Sequence, residues 1–317
     1  MESIKETWIV IVHYNGFEWI EKCLESFNKS TYKNQIIVLD NNSPSKEGKE
    51  LIKTKFPHVI LLELNENIGF GRANNKGIEY AVNKGAKYAF LLNQDAWICE
   101  SNTIEKLVEI AGNYTDYAIV SPVHYNSDKT ALDEGFKAYL SKLKDSEWTI
   151  DTPSTEWEDL YKLPFINAAA WLINLQNFKK IGLFDNDYFM YGEDFDLTNR
   201  TLFHQYKIGF TPYASICHAR ENRSKTIIPS ELSYSEKMQF YGRYLSVTKN
   251  INWSIHESYF KFLLEMSVYA IKQMKNGYWN RAWQIILIGL KIIFKVPHIY
   301  FSRQRNKKGY LKIPKSS

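Results

Sequence analysis

Short apolar runs alternate with helical stripes through the first third of the chain. Trp8-Ile-Val-Ile-Val12, Gln35-Ile-Ile-Val-Leu39, Val59-Ile-Leu-Leu62 and Tyr88-Ala-Phe-Leu-Leu92 are unbroken, which predicts strands buried on both faces. Between them, Phe17, Ile20, Leu24 and Phe27 recur at helical spacing, and 72–83 is predicted to be a second helix. Strands and helices alternating at this spacing mean βαβ units and a mostly parallel sheet. Each strand stops abruptly in a polar turn: His13-Tyr-Asn-Gly16, Asp40-Asn-Asn-Ser-Pro44, Asn65-Glu-Asn-Ile-Gly-Phe-Gly71 and Asn93-Gln-Asp95. In a parallel sheet these turns fall on one edge, where open α/β sheets bind ligands. Tyr14, Asp40 and Asp95 are therefore expected to converge.

The rhythm breaks over 124–163, a polar stretch with scattered aromatics that reads as an insertion or loop over the site. Order returns at 165–173, where Ala168–Ala170 would let another backbone or a substrate approach closely. Tyr188-Phe-Met-Tyr-Gly192 leads into a helix expected to start near Glu193. Ile208-Gly-Phe210 and Ala214-Ser-Ile-Cys-His218 look like a closing strand pair. From about residue 226 the pattern turns helical. Tyr259, Phe262, Leu263, Met266, Tyr269 and Ala270 form one stripe, and 282–294 is strongly apolar apart from Lys291. That run is short for a membrane span, but its flanking Trp279, Tyr300, Lys and Arg suit a helix lying in a membrane interface. A helical pair packed on the catalytic domain, or on a second copy of the chain in a homodimer, fits the same pattern. The expected organisation is a catalytic domain over 1–225 and a helical, basic region over 226–317.

Charge sharpens the picture of the tail. The net charge is +5, yet no Asp or Glu follows Glu265 while eleven Lys and Arg do, leaving residues 1–265 at −6. A basic, aromatic tail on an acidic body implies an anionic partner. A membrane surface is expected; nucleic acid is not, because no reader motif accompanies the charge. With 44% hydrophobic and 24% charged residues the chain is globular. Three cysteines without CxxC spacing argue against a disulfide framework or zinc knot. With no signal-like apolar segment before Trp8, the catalytic part is expected in the cytoplasm.

Several polar residues have the chemistry of a nucleotide and metal site. Asp95, just past a buried strand, can supply the oxygen ligand that a hard cation on two phosphates needs; an Asx turn or helix cap would use it equally well. Asp40 can accept from the imide N–H of uracil or thymine, or close a turn before Pro44. Asn67, Gly69 and Arg72 stand at a glycine-bearing helix start suited to a diphosphate. His218 after a buried strand is either a metal ligand or a core histidine. Arg220, Arg223 and Lys225 behind it suit an anionic leaving group. Glu193, Asp194 and Asp196 at a helix start are either caps or catalytic carboxylates.

In order, Val12-His-Tyr-Asn-Gly16, Val38-Leu-Asp-Asn-Asn-Ser43, Asn67-Ile-Gly-Phe-Gly-Arg-Ala-Asn-Asn75, Leu91-Leu-Asn-Gln-Asp95, Gly182-Leu-Phe-Asp185 and Tyr191-Gly-Glu-Asp194 resemble family 2 glycosyltransferases. The resemblance covers roughly 7–225 and is strongest toward bacterial rhamnosyltransferase-like enzymes of O-antigen and capsule assembly. It implies an α/β fold of the GT-A (nucleotide-diphospho-sugar transferase) type, with a mostly parallel central sheet and added C-terminal helices. It implies that Tyr14, Asn15, Asp40, Asn42, Asn67, Gly69, Arg72, Asn75, Asn93, Arg220 and Arg223 bind the nucleotide sugar, and that Asp95 and His218 hold Mg²⁺ or Mn²⁺. Asn93 stands where the family's metal motif begins with Asp, so Asp95 carries that motif alone. Glu193-Asp194 resembles the pair whose Asp is the general base, with Asp196 a second candidate. Trp171, Tyr188 and Tyr191 are candidates for stacking on the acceptor.

The implied activity is inverting transfer of a sugar to a hydroxyl of a lipid-linked surface glycan, by an enzyme peripheral on the inner face of the plasma membrane. dTDP-L-rhamnose is the favoured donor, a UDP-hexose the next. A nucleotidyltransferase is disfavoured, since no Gly-rich, Lys/Arg-bearing triphosphate loop follows the first strand. A non-catalytic membrane-bound scaffold is the alternative that Asn93 leaves open.

Overall fold

The computed structural model describes residues 6–32, 35–141, 157–219 and 229–309. Its elements run β1 (Thr7–His13), α1 (Phe17–Glu25), β2 (Gln35–Asp40), α2 (Glu47–Lys55), β3 (Ile60–Glu63), α3 (Phe70–Asn83), β4 (Tyr88–Asn93), β5 (Ala96–Ile98), α4 (Thr103–Asn113), β6 (Tyr117–Tyr125), α5 (Glu134–Leu140), β7 (Tyr161–Lys162), β8 (Ala170–Asn174) and α6 (Leu175–Ile181). After these come α7 (Glu193–Phe203), β9 (Lys207–His218), α8 (Tyr234–Lys249), α9 (Ile255–Lys275), α10 (Trp279–Ile293) and α11 (Val296–Lys308). Two compact units result. One comprises Met1–Lys179, Tyr206–Arg223 and Lys312–Ser317; the other comprises Lys180–Gln205 and Ser224–Leu311. The segment carrying α7 thus groups with the C-terminal helices, and the chain passes between units more than once.

The first unit is built on a single sheet with strand order β3-β2-β1-β4-β8-β6-β9-β5, and β7 pairs β9. β1 to β4 are mutually parallel, as the alternation predicts. β8 runs antiparallel to both β4 and β6, while β6 and β9 pair in parallel. Side chains alternate between two buried faces. Ile9, Ile11, Val38, Phe90 and Leu92 pack with Ile20, Leu24, Ile104 and Leu107 in one large core cluster. On the other face α3 lies so close that a Cβ on Gly77 would come within 2.4 Å of Val10. Only glycine fits there.

Three sequence expectations change. The apparent pair at 208–218 is one strand, β9, whose register against β6 slips between Pro122 and Val123. A bulge of this kind bends a strand and looks like a break in the pattern. The expected loop over 124–163 begins inside β6 and contributes α5 and β7; residues 142–156 of it lie outside the described residues. β5 was not anticipated at all. It pairs antiparallel with β9 and brings Cys99 and Cys217 side by side, Sγ to Sγ 2.8 Å.

The second unit has its own core, with Tyr188, Tyr244, Leu245, Phe262, Ile285, Ile288 and Ile292 buried together. Ser233 and Glu236 form a reciprocal capping box at the start of α8. Buried cations stitch the helices to their loops. Lys249, 1% exposed, donates to Asp185 at 2.5 Å and to Asp187 at 2.7 Å. Arg303 donates to the carbonyls of Thr248, Asn250 and Trp253, and Arg281 is buried against Glu236. Two of the tail's basic residues are therefore internal fasteners rather than surface charge.

Removing one partner of a buried ion pair strands the other. Lys249→Met should cost about 3–5 kcal/mol, measured by chemical denaturation, because Asp185 loses its neutralising ammonium. A loss below about 1 kcal/mol would show the cluster to be dispensable.

Candidate active site

The polar ends of β1, β2 and β4 meet in register: His13 pairs with Asp40, and Val12 with Asn93. The turn after β1 is held by Gln94, a residue that sequence reasoning did not single out. Its Oε1 accepts from His13 Nδ1 at 2.8 Å and from Tyr14 N at 3.0 Å, and its Nε2 donates to Tyr14 O. Tyr14 is left exposed, and Asn15, at φ 51°, donates its N–H to Ser43 Oγ at 3.1 Å.

Asp40 is fully buried. Its carboxylate accepts from Ser43 N at 3.3 Å and faces Lys49 Nζ at 3.5 Å, so the Asx turn foreseen as the alternative is present. Asn42 is exposed at φ 59°. Asn41, also unforeseen, ties this turn to the next one. Its Nδ2 donates to Asn67 Oδ1, its Oδ1 accepts from Ile68 N, and Asn67 Oδ1 also accepts from Gly69 N, each at 2.9 Å. Gly69 sits at φ 85°, a conformation that L side chains rarely adopt, and it opens α3 with Arg72 half-buried in the first turn. Asn75 is buried one turn further on.

Past β4, half-buried Asn93 is fixed by its N–H to Ala169 O. Pairing of β5 with β9 sets Ala96 opposite His218, and Ala219 N donates to Asp95 O. Asp95 Oδ1 consequently lies 3.4 Å from His218 Nε2. His218 is 1% exposed, and its Nδ1 has no hydrogen-bond partner; Asp133 Oδ2 stands 3.8 Å away. Among the described residues no cluster of three or more His, Cys, Asp or Glu could hold a metal. A carboxylate oxygen and an imidazole nitrogen 3.4 Å apart nevertheless suit one divalent cation that takes its other ligands from phosphates and water. Asp133 carried no sequence signal, because only the fold brings it to the histidine. Arg220 and Arg223 lie outside the described residues.

In the second unit, the turn into α7 is strained for a reason. Tyr191 adopts φ 67° and Gly192 φ 89°. A Cβ on Gly242 of α8 would sit 2.0 Å from Tyr191 O, so the two backbones touch only because Gly242 has no side chain. That approach presents Tyr191, Glu193 and Asp194 to a pocket of about 410 Å³, lined also by Phe195, Gln239, Phe240, Arg243 and Tyr269.

The three carboxylates at this helix start have different surroundings. Glu193 is 6% exposed and its Oε2 has no partner; burial lifts its carboxyl to about 8, and neighbouring Asp194 pushes the same way. Asp194 is half-buried, with Oδ1 accepting from Phe195 N at 2.8 Å. Asp196 is engaged elsewhere. It is buried against Arg200, 2.8 Å away, whose guanidinium also donates to Ile181 O and Leu183 O. As a buried structural pair it cannot meet an acceptor, and this corrects its place as second candidate base. Trp171 at 0% and Tyr188 at 1% exposure are core residues with no ring face to offer a sugar. Burial claimed both rings, that of Tyr188 in the core of the second unit, leaving Tyr191 alone of the expected acceptor aromatics.

A family model described as glycosyl transferase family 2 matches residues 8–182. The chain is 22% identical over 264 residues to an N-acetylglucosaminyl-diphospho-decaprenol L-rhamnosyltransferase of Mycobacterium tuberculosis, covering 73% of this chain and 82% of the relative. It is 23% identical over 263 residues to a dTDP-rhamnosyl transferase of Shigella flexneri, covering 81% and 86% respectively. Among solved structures it is similar to a mannosyltransferase of Pyrobaculum calidifontis in complex with GDP-Man and Mn²⁺. That match has a TM-score of 0.54 and 14% identity, over 92% of this chain and 87% of the other. The fold is thus the α/β sandwich of these nucleotide-sugar transferases.

Glu193 generates a pH prediction. The folded protein keeps its proton between about 4.5 and about 8, while the unfolded chain releases it, so stability falls as pH rises through that window. Glu193→Gln should remove this slope and raise Tm at pH 8 by roughly 2–4 °C. Parallel Tm profiles for the two proteins between pH 5 and 9 would show that Glu193 is not held neutral.

Proposed function

The chain belongs to glycosyl transferase family 2, and we propose that it moves L-rhamnose from dTDP-L-rhamnose, with inversion, to a hydroxyl of a lipid-linked surface glycan. Glycosyl transfer follows from the family. The observation that carries the reading of a metal-dependent transfer is the Asp95–His218 pair past the end of β4, on the sheet edge where Asn67, Gly69 and Arg72 open α3. Two relatives named for rhamnosyl transfer support the choice of donor, and one of them is named for a lipid diphosphate acceptor.

In this reading the edge of the sheet binds the dTDP portion. Arg72 and the backbone N–H groups at the start of α3 receive the diphosphate. The family resemblance would assign Arg220 and Arg223, outside the described residues, to the same leaving group. Asp95 and His218 would hold Mg²⁺ or Mn²⁺, which when bound offsets the charge that builds on the departing nucleotide. An inverting transfer also needs a carboxylate to take the acceptor hydroxyl's proton. Asp194 has that role: it is the accessible member of its group, whereas Glu193 is buried and Asp196 is paired with Arg200.

The tail is read as a membrane dock. Trp279, Trp283, Leu287, Leu290 and Phe294 recur every three to four residues along α10 and are all exposed, while its Ile285, Ile288 and Ile292 pack inward. The apolar residues of this helix thus divide between a buried face and an exposed one. Exposed Lys272, Lys275, Lys291 and Lys295 accompany the stripe. No single helix among the described residues is long and apolar enough to cross a membrane; α10 and α11 pass that test only together, bent by 62°. An interfacial helix pair lying along anionic lipid fits these features. It would bring the enzyme to a lipid-linked acceptor at the inner leaflet.

Turnover against a panel of nucleotide sugars should be highest with dTDP-L-rhamnose and be abolished by EDTA. Asp194→Asn should then cut the rate by about 10²–10⁴-fold with donor affinity barely changed. A different best donor refutes the rhamnosyl assignment, and turnover indifferent to EDTA refutes the metal.

For the dock, the full-length protein should sediment with vesicles containing anionic lipid, each nearby Lys contributing about 1 kcal/mol. Trp283→Glu with Phe294→Glu should release it, both side chains being exposed and so tolerant of change. Equal sedimentation with neutral and anionic vesicles would sink the electrostatic part.

A further inference from the structure

The strand pair that sets His218 against Asp95 also carries two thiols that the proposed reaction does not use. β5 and β9 run antiparallel, with Ala96 opposite His218, Trp97 opposite Cys217 and Ile98 opposite Ile216. Cys99 N donates to Ser215 O at 3.1 Å, which extends the pairing past the end of β5. Residues two apart on a strand share a face, so Cys99 stands with Trp97 on the face of Cys217, as its diagonal neighbour. The two Sγ atoms are 2.8 Å apart, and both cysteines are free thiols. A disulfide bond is about 2.05 Å long, so joining them requires a closure of less than about 1 Å.

Access and position give the pair a direction and a consequence. Cys99 is half-buried, whereas Cys217 is 4% and Cys23 0% exposed. A small oxidant therefore meets Cys99 first, with Cys217 beside it to resolve the product. β5 is three residues long, stands at the end of the sheet and pairs with β9. Asp95 immediately precedes β5, and His218 is the last residue of β9. A bond between these strands consequently restrains Asp95 relative to His218.

We propose that Cys99 and Cys217 are a reversible oxidation site for a low-molecular-weight disulfide of the glutathione class, and that their bond pins β5 to β9. The Cys99 sulfur attacks one sulfur of the oxidant and loses its proton, and one small thiol leaves, giving a mixed disulfide. Cys217 then attacks the Cys99 sulfur and loses its proton, and the second small thiol leaves. Two protein thiols are thereby oxidised to one disulfide, while the S–S bond of the oxidant is reduced to two thiols that carry the two protons. Formation of the bond does not depend on the function proposed above. Its effect on a metal does, since that rests on the reading of Asp95 and His218 as ligands.

The full-length protein is equilibrated with oxidised glutathione, and its thiols are counted and its disulfides mapped by mass spectrometry. Cys99 and Cys217 should be joined, Cys23 should remain a thiol, and dithiothreitol should restore all three. Cys217→Ser should instead stop at a glutathione adduct on Cys99. Amide exchange over 97–99 should be slowed about tenfold in the oxidised wild type, as expected when opening of a short strand is restrained. Three free thiols, a bond that includes Cys23, or a lasting glutathione adduct on wild-type Cys99 overturns the oxidation site. Equal exchange in the two forms overturns the pinning. Mn²⁺ is then titrated against each form with dTDP present, and a restrained pair should lower its Kd about threefold or more. Equal Mn²⁺ affinity overturns the link from the bond to Asp95 and His218, and no Mn²⁺ binding by either form overturns the metal reading of that pair instead.

Discussion

A strand buried on both faces has no place for a polar side chain except at its ends. β1, β2 and β4 obey this, and their parallel register delivers His13, Asp40 and Asn93 to a single edge. Everything on that edge is then a matter of holding loops in place. Gln94 staples the turn after β1, Ser43 closes the turn after β2, and Asn41 locks Asn67 and Gly69 ahead of α3. The Gln94 and Asn41 hydrogen bonds join loops far apart in the sequence, and they form only because the sheet has already brought the loop ends together.

The second unit solves a different problem, that of fixing a strained turn. Tyr191 and Gly192 are held at positive φ by direct backbone contact with Gly242. Strain of this kind persists only where the surroundings over-determine it. Here the surroundings include the Lys249 cluster with Asp185 and Asp187, and Arg200 gathering Asp196 with two carbonyls. Burial opposes the charge of Asp185, yet Lys249 holds its carboxyl well below the usual range. The unit spends buried charge on shape. In the same turn, burial keeps Glu193 neutral while Asp194 remains accessible, and carboxylates whose surroundings differ in this way take different chemical roles.

Family and fold are firmly shared with known transferases, but the identity between them is low. The strand-end motifs serve any nucleotide sugar, so they carry the reaction class. Donor and acceptor choice depend on side chains that the shared motifs do not include.

The alternation of apolar runs and helical stripes by itself determined the parallel half of the sheet, the helices α1, α3, α7 and α9, and the ordered motifs that resemble the family. These signals are local, since period and strand-end polarity are set by neighbours in sequence. Tertiary structure decided the rest. β5 is three residues long and exists because β9 offers it an edge, and that pairing is what sets His218 against Asp95. Asp133 meets the same histidine from a helix cap with no motif around it. Whether a carboxylate is a base or a brace could not be read from the run Glu193-Asp-Phe-Asp196; Arg200 and the depth of burial made Asp196 structural and Glu193 neutral. The same holds for Trp171, Tyr188, Arg281 and Arg303, whose types suggested contact with a partner and whose burial excludes it. Burial is a property of the packed whole, and a residue's chemistry follows from it.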